Sequence, residues 1–324
     1  MPMPKPKVLV TRAWPEAVEA RLKDSYDVTL NPGDAIFSAA ELRAAAGVYD
    51  AILPTVTDRI GAEVLAPGGR LRFIGNYGVG YSHIDTSAAK AAGIVVSNTP
   101  DVLSDCTADI AMTLLLMVAR RAGEGERFLR AGLWDGWRPG QLIGRKVSGA
   151  TIGIVGFGRI GQAMAQRARH GFGMTVLVQN RSPVAAEVLA AYGARQVTSL
   201  DEMLPEVDFL SLHCPGGAAN RHLIDARRLS LMRPDAFLIN TARGEVVDEV
   251  ALADALAAGR LAGAGLDVYE EEPKVTPALM TMENAALLPH LGSATRETRD
   301  AMGHRAVDNL DAFFAGREPP DRVA

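Results

Sequence analysis

The chain has 324 residues, 48% of them apolar and 22% charged. That composition packs into globular domains, and at roughly 150 residues per domain it fills two. The 34 lysines and arginines against 38 aspartates and glutamates leave a net charge of −4, so no basic excess is available to neutralise a phosphate backbone, and nucleic acid is not expected as a partner. The longest apolar run, Ile110 to Ala119, falls well short of the roughly 18 residues that span a bilayer. Met1 to Lys7 leads straight into Val8-Leu9-Val10, too short a stretch for a secretory segment. The expectation is a cytoplasmic protein with no membrane partner.

Through the first hundred residues, short β-branched runs alternate with alanine-rich stretches, the mark of βα units around a parallel sheet. Strands are predicted at Lys7–Val10, Ala51–Leu53, Arg72–Gly75 and Val95–Ser97, with helical segments at Ala39–Ala46, Ile60–Ala66 and Thr86–Ala92, the last stopped by Gly93. Asp105–Arg121 reads as a long apolar helix crossing between domains, and Gly123–Gly149 as irregular. A second alternation follows, with strands near Thr151–Val155, Thr175–Gln179, Gln196–Val197, Phe209–Leu212, Ala236–Asn240, Gly263–Asp267 and Ala286–Leu288. This is a doubly wound pattern. The segment Thr295–Ala315 has helical spacing, stops at Gly316, and is expected to pack back on the first domain, making that domain discontinuous.

Cys106 and Cys214 have no metal-type spacing and no disulfide framework around them, so both are expected to be reduced. The six histidines, His83, His170, His213, His222, His290 and His304, contain no zinc-type cluster, and no metal is expected.

Gly156-Phe157-Gly158-Arg159-Ile160-Gly161 follows an apolar strand and opens a helical pattern reaching about His170. In that context the glycines let a pyrophosphate approach the backbone at a positive helix terminus, which makes this a dinucleotide site. About 20 residues further on, where an NAD-specific fold offers a carboxylate to the ribose, stands Asn180-Arg181-Ser182. Nothing there repels a 2′-phosphate, and Arg181 can make a charge-assisted contact with one, so NADP(H) is favoured and NAD(H) remains possible.

Arg243, Glu272 and His290 follow three consecutive strands near their carboxyl ends, where doubly wound sheets take ligands. An imidazole titrates close to neutrality, so one side chain can both give and take a proton, and a carboxylate beside it favours the protonated form. A guanidinium offers the planar fork that matches the carboxylate of an oxo acid.

At these residues the sequence resembles the D-isomer-specific 2-hydroxyacid dehydrogenase family. The matched stretches are Gly78–Asp85, Asn98–Asp109, the glycine loop, Asn240–Asp248 and Pro289–Ser293. Leu133–Pro139, with Trp134 and Trp137, and Asn180–Ser182 are most similar to the glyoxylate/hydroxypyruvate reductase branch, which is typically NADPH-preferring. The resemblance implies an α/β protein of two doubly wound parallel-sheet domains: a Rossmann cofactor domain, residues 103–291, inserted in a flavodoxin-like substrate domain, residues 1–102 and 292–324. It implies His290 as general acid and base, Glu272 as its orienting carboxylate and Arg243 as substrate clamp. By the same resemblance, Val79, Gly80, Ser293 and Trp137 would join Arg243 on the substrate. Thr107, Gly156, Gly158, Arg159, Ile160, Gly161, Asn180, Arg181, Ser182, His213, Pro215, Thr241, Ala242, Asp267, His290 and Gly292 would line the cofactor, with Asp267 accepting from the carboxamide. The implied activity is NADPH-dependent reduction of glyoxylate or hydroxypyruvate by a homodimer. The alternatives are a family enzyme for 2-ketogluconate or a D-lactate-type substrate, and a non-enzymatic dinucleotide-sensing corepressor.

Overall fold

The computed structural model describes residues 4–65 and 68–324, which divide into two compact units: 4–65 and 68–103 with 294–324, and 104–293. The first unit is built on strands β1 (Lys7–Val10), β2 (Asp27–Thr29), β3 (Ala51–Leu53), β4 (Phe73–Gly75) and β5 (Val95–Ser97), all parallel, in the order β2-β1-β3-β4-β5. That is the flavodoxin-like order. Its inner strands β1, β3 and β4 are buried on both faces, as a helix-covered parallel sheet requires, and the edge strand β2 is exposed.

The helix Arg296–Phe314 completes this unit from the far end of the chain. Gly303 lets it sit tight on the helix Glu16–Ser25, because a β-carbon there would fall 2.6 Å from Val18. Arg21 bridges to Asp308 and Asp311, and Phe313 packs on Phe73 with ring centres 5.0 Å apart. The tail then pairs with β5, Val323 N–H donating to the Val96 carbonyl at 2.8 Å.

The second unit holds β6 (Thr151–Val155), β7 (Thr175–Gln179), β8 (Ala194–Gln196), β9 (Phe209–Leu212), β10 (Phe237–Asn240), β11 (Gly263–Leu266) and β12 (Ala285–Leu287). They run parallel in the order β8-β7-β6-β9-β10-β11-β12, the Rossmann order extended by one strand. The helix Ser104–Ala119 covers one face through Ala108, Ala111, Leu114, Leu115 and Val118, close enough to β11 that a β-carbon on Gly265 would lie 2.8 Å from Leu114.

Three expectations need correction. Residues 60–65 form turns in place of a helix, with Ile60 bridged to Ile84; Ala66, the last residue of that expected helix, lies outside the described residues. The crossover helix ends at Ala119, and Arg121 takes a left-handed conformation with φ 51°. A second helix, Ala122–Arg130, occupies the start of the stretch read as irregular. Neither cysteine is in a disulfide, and no helix among the described residues is long and apolar enough to cross a membrane.

Candidate active site

The loop after β10 carries Arg243 and is shaped by Asn240, a buried residue at the strand end. Its Oδ1 accepts from Ala242 N–H at 3.0 Å and its Nδ2 donates to the Arg243 carbonyl at 2.9 Å. The next residue must be small: a β-carbon on Gly244 would overlap the Tyr269–Glu270 backbone at 1.8 Å. The arginine loop is thereby pressed against the loop that follows β11. Burial pushes the Arg243 guanidinium below its ordinary value, against the pull of Glu272 and Glu245. Among the described residues it has no ion-pair partner, and its recorded side-chain hydrogen bond goes to the Ala242 carbonyl at 2.6 Å.

The loop after β11 carries Glu272, and Glu249 holds it from below. That buried carboxylate accepts from Glu270 N–H, from Thr276 N–H at 3.2 Å and from the Thr276 hydroxyl at 2.7 Å. Glu270 is gripped by Arg221 and by His222 Nε2 at 2.8 Å. Glu272 Oε1 accepts from Tyr269 N–H at 3.1 Å, and Oε2 faces His290 Nδ1 at 2.8 Å. Burial works to raise the Glu272 carboxyl, but the His290 hydrogen bond and charge, the Tyr269 amide and Arg243 together bring it below the usual value.

Glu272 is therefore ionised near neutral pH and can only accept. The hydrogen between the pair belongs to Nδ1, which leaves Nε2 as the ring nitrogen of His290 that Glu272 does not engage.

His290 itself sits in a left-handed conformation, φ 57°, fixed by Asp267 at the end of β11. The Asp267 carbonyl accepts from His290 N–H at 2.9 Å, and its carboxylate accepts from Leu291 and Gly292 N–H at 2.6 and 2.8 Å. Burial raises the Asp267 carboxyl. Thr107 donates to the Gly292 carbonyl at 3.0 Å. Asp267 and Thr107 thus have structural duties in aiming the histidine loop, which motif reading alone does not reveal.

Around the glycine loop, Gly156 (φ 88°) and Gly161 are dictated by packing. A β-carbon on Gly156 would meet the Cys214 backbone at 2.7 Å, and one on Gly161 the Gly156 carbonyl at 2.2 Å. Gly158 differs, since a β-carbon there would meet nothing within 4 Å. Its exposed backbone opens the helix Arg159–Gln166, which passes into a π-helical turn over Arg167–Gly171. Asn180 ties the loop to β7, its Oδ1 accepting from Phe157 N–H at 3.1 Å and its Nδ2 donating to the Ser182 carbonyl. Arg181 and Ser182 are exposed, and among the described residues the Arg181 guanidinium has no hydrogen-bond or ion-pair partner.

Two buried polar atoms nearby have no partner among the described residues: Thr241 Oγ1, after β10, and His213 Nδ1, after β9, on strands paired Leu212 to Asn240. Open backbone over a helix start and two unpartnered groups at adjacent strand ends fit a dinucleotide. His213 Nε2 shares a hydrogen bond with the Ser211 hydroxyl at 2.8 Å, and burial lowers its pKa to about 4, so it is neutral and unsuited to proton delivery. Pro215 is exposed, while Ile160 and Ser293 are half-buried. Trp134 and Trp137 are 52% and 80% exposed. Val79 and Gly80 belong to the first unit, in the loop after β4.

Sequence reading missed Asn240, Glu249, Tyr269 and His222 as organisers of these loops. An asparagine closing a strand just before Thr-Ala-Arg-Gly is a signal for a side-chain-capped turn. Glu249, in the first turn of a helix, reads as an ordinary surface carboxylate.

The family model for the NAD binding domain of D-isomer specific 2-hydroxyacid dehydrogenases matches residues 112–292. The glyoxylate reductase of Thermococcus kodakarensis is 45% identical over 98% of this chain and 96% of its own length. The glycerate dehydrogenase of Hyphomicrobium methylovorum is 40% identical over 98% of each. Among solved structures, an NADPH-dependent glyoxylate/hydroxypyruvate reductase from Sinorhizobium meliloti in complex with NADP and malonate superposes with a TM-score of 0.88 at 37% identity, covering 99% of this chain and 97% of that one.

Proposed function

The chain belongs to the D-isomer specific 2-hydroxyacid dehydrogenase family and is an oxidoreductase, and from that premise we propose that it reduces glyoxylate and hydroxypyruvate to the 2-hydroxy acids, with NADPH as the preferred reductant. The observation that carries the reading is the 2.8 Å pair of His290 and Glu272 beside an Arg243 that has no ion-pair partner among the described residues. When bound, the reduced dinucleotide supplies a hydride to the substrate's C2. Arg243 grips the substrate carboxylate and draws electron density from the ketone. His290 gives the Nε2 proton to the developing alkoxide, and Glu272 stabilises the imidazolium before that transfer. Val79 and Gly80 are the further candidates for the substrate carboxylate.

The preference for NADPH is supported by the partnerless Arg181 and by the absence of any carboxylate in Gln179-Asn180-Arg181-Ser182. The wide exposure of Leu133, Trp134 and Trp137 supports a second copy of the chain as partner, a homodimer that light scattering would detect. The deciding experiment measures oxidation of NADPH and NADH with glyoxylate, hydroxypyruvate, pyruvate and 2-ketogluconate. Fastest turnover is expected for NADPH with the first two. Dinucleotide binding without turnover on any of the four would overturn the enzymatic reading in favour of a sensing protein.

A further inference from the structure

In the first unit, the backbone carbonyls of Gly78, Val79 and Gly80 are all tied down from behind. Asn76 Nδ2 donates to Gly78 O at 2.9 Å and to Gly80 O at 3.1 Å. Asn98 Nδ2 donates to Val79 O at 2.8 Å, and Thr99 N–H donates to Gly78 O at 3.1 Å. Two carbonyls can only accept, so the Asn76 amide nitrogen must be the atom that faces them.

Both asparagines are buried at the carboxyl ends of neighbouring parallel strands, Asn76 directly after β4 and Asn98 directly after β5. Asn98 is itself anchored from the C-terminal segment: its N–H donates to Asp321 O at 3.2 Å, and its carbonyl accepts from Asn309 Nδ2 at 3.4 Å. Asp321 is held in turn by Arg305 and by Asn309 Nδ2 at 2.8 Å. The N–H groups of Val79 and Gly80 donate no hydrogen bond among the described residues, and both residues are half-exposed. With the acceptors of this loop consumed inward, the groups it offers outward are donors.

We propose that Asn76 and Asn98 are positioning residues that clamp the carbonyls of residues 78–80 and so aim the Val79 and Gly80 amides at the carboxylate of a 2-oxo acid. The inference rests on the reading of residues 79 and 80 as a substrate-carboxylate site. It assigns substrate affinity to two side chains that need not touch the substrate. A peptide loop freed from such a clamp can turn a carbonyl toward an incoming anion, reversing the sign of the local dipole.

The test uses the full chain carrying Asn76→Ala or Asn98→Ala, with Asn76→Leu as a near-isosteric, uncharged second variant that deletes the donors without opening a cavity and is expected to behave as Asn76→Ala does. Four quantities are read: glyoxylate KM and kcat, the Kd of oxalate for the dinucleotide complex, the Kd of NADPH, and turnover of the uncharged amide of glyoxylate. For the alanine variants the expected result is a KM and an oxalate Kd raised about 10- to 100-fold, the loss of one or two oriented contacts to a charged group. NADPH affinity and turnover of the amide should match the parent, because neither needs the aimed amides. A merely structural role would lower the thermal midpoint and depress both substrates alike. Unchanged KM and oxalate affinity in well-folded variants overturns the proposal. A parent chain inactive on every 2-oxo acid would refute the enzymatic reading alone, and weakened oxalate binding in the variants would still uphold the clamp.

Discussion

Two histidines of the second unit stand just beyond the carboxyl ends of strands in one sheet, His213 after β9 and His290 after β12, and their surroundings diverge. His290 has a carboxylate on Nδ1 and a side chain 31% exposed. His213 has a serine hydroxyl on Nε2 and a solvent-shielded Nδ1 without a partner among the described residues. Desolvation without a counter-charge leaves an imidazole neutral at every physiological pH, whereas a carboxylate partner stabilises the imidazolium. Position at a strand end is shared, and the rings differ in their neighbours, a carboxylate for His290 and a hydroxyl for His213. Each of the following outcomes would break or sharpen that contrast.

The largest effect is expected for His290→Asn, which keeps a polar group near Glu272 but removes the exchanging nitrogen. Turnover should drop by on the order of 10²–10⁴. A near-normal rate would take His290 out of the chemistry and erase the distinction. Arg181→Ala comes next. Loss of a charge-assisted contact should weaken NADPH by about 10- to 100-fold and leave NADH nearly unaffected. Equal losses for the two would remove the phosphate assignment.

Gly158→Ala sharpens the comparison among the glycines. Its β-carbon has open space in the protein, so the thermal midpoint should stay close to that of the parent, while Gly156→Ala and Gly161→Ala should unfold at lower temperature. Binding of either dinucleotide to the Gly158 variant should weaken by about tenfold, since a methyl group now stands where the pyrophosphate approaches. Undiminished affinity would show that the phosphates pass elsewhere.

Much of this was readable before any coordinates, and unevenly so. The second sheet was legible because its strands are short apolar runs set off by punctuating residues, and the order of motifs gave the strand ends that carry Arg243, Glu272 and His290. The failures have physical causes. Ile60, Val64 and Leu65 are all buried, so their apolar spacing correctly signalled burial, yet the backbone there runs in turns and Ile60 bridges Ile84. The helix Ala122–Arg130 contains Gly123 and Gly125 and buries no residue, so its glycines hid it although its charged and apolar residues fall on opposite faces. Its ion pairs, Arg121 with Glu124 and Arg127 with Glu283, lie at the surface. The clamps at Asn76 and Asn98 and the support from Glu249 depend on contacts between segments far apart in sequence, and a single chain read in order carries no mark of which carbonyl a distant amide will find.

The smallest expected effect concerns His213, and it follows from the sign of a linkage. An unfolded chain would titrate this imidazole near the ordinary value of about 6.5, while the folded protein holds it at about 4. Between those values the unfolded state binds a proton that the native state refuses, so stability is complete above the upper value and falls as pH drops through the window. Below about 4 both states are protonated and the loss stops growing. One group limits the slope to at most about 1.4 kcal/mol per pH unit. Glu272 also loses stabilising influence as pH falls, because its carboxyl lies below the usual value in the fold, but that contribution is common to parent and variant. Denaturant midpoints measured across the window for the parent and for His213→Gln, which retains a hydrogen-bonding side chain without the titration, therefore isolate the one proton. The parent should lose stability more steeply toward acid. Parallel curves would mean that His213 is protonated in the native state, and the contrast between the two strand-end histidines would then have to rest on Glu272 alone.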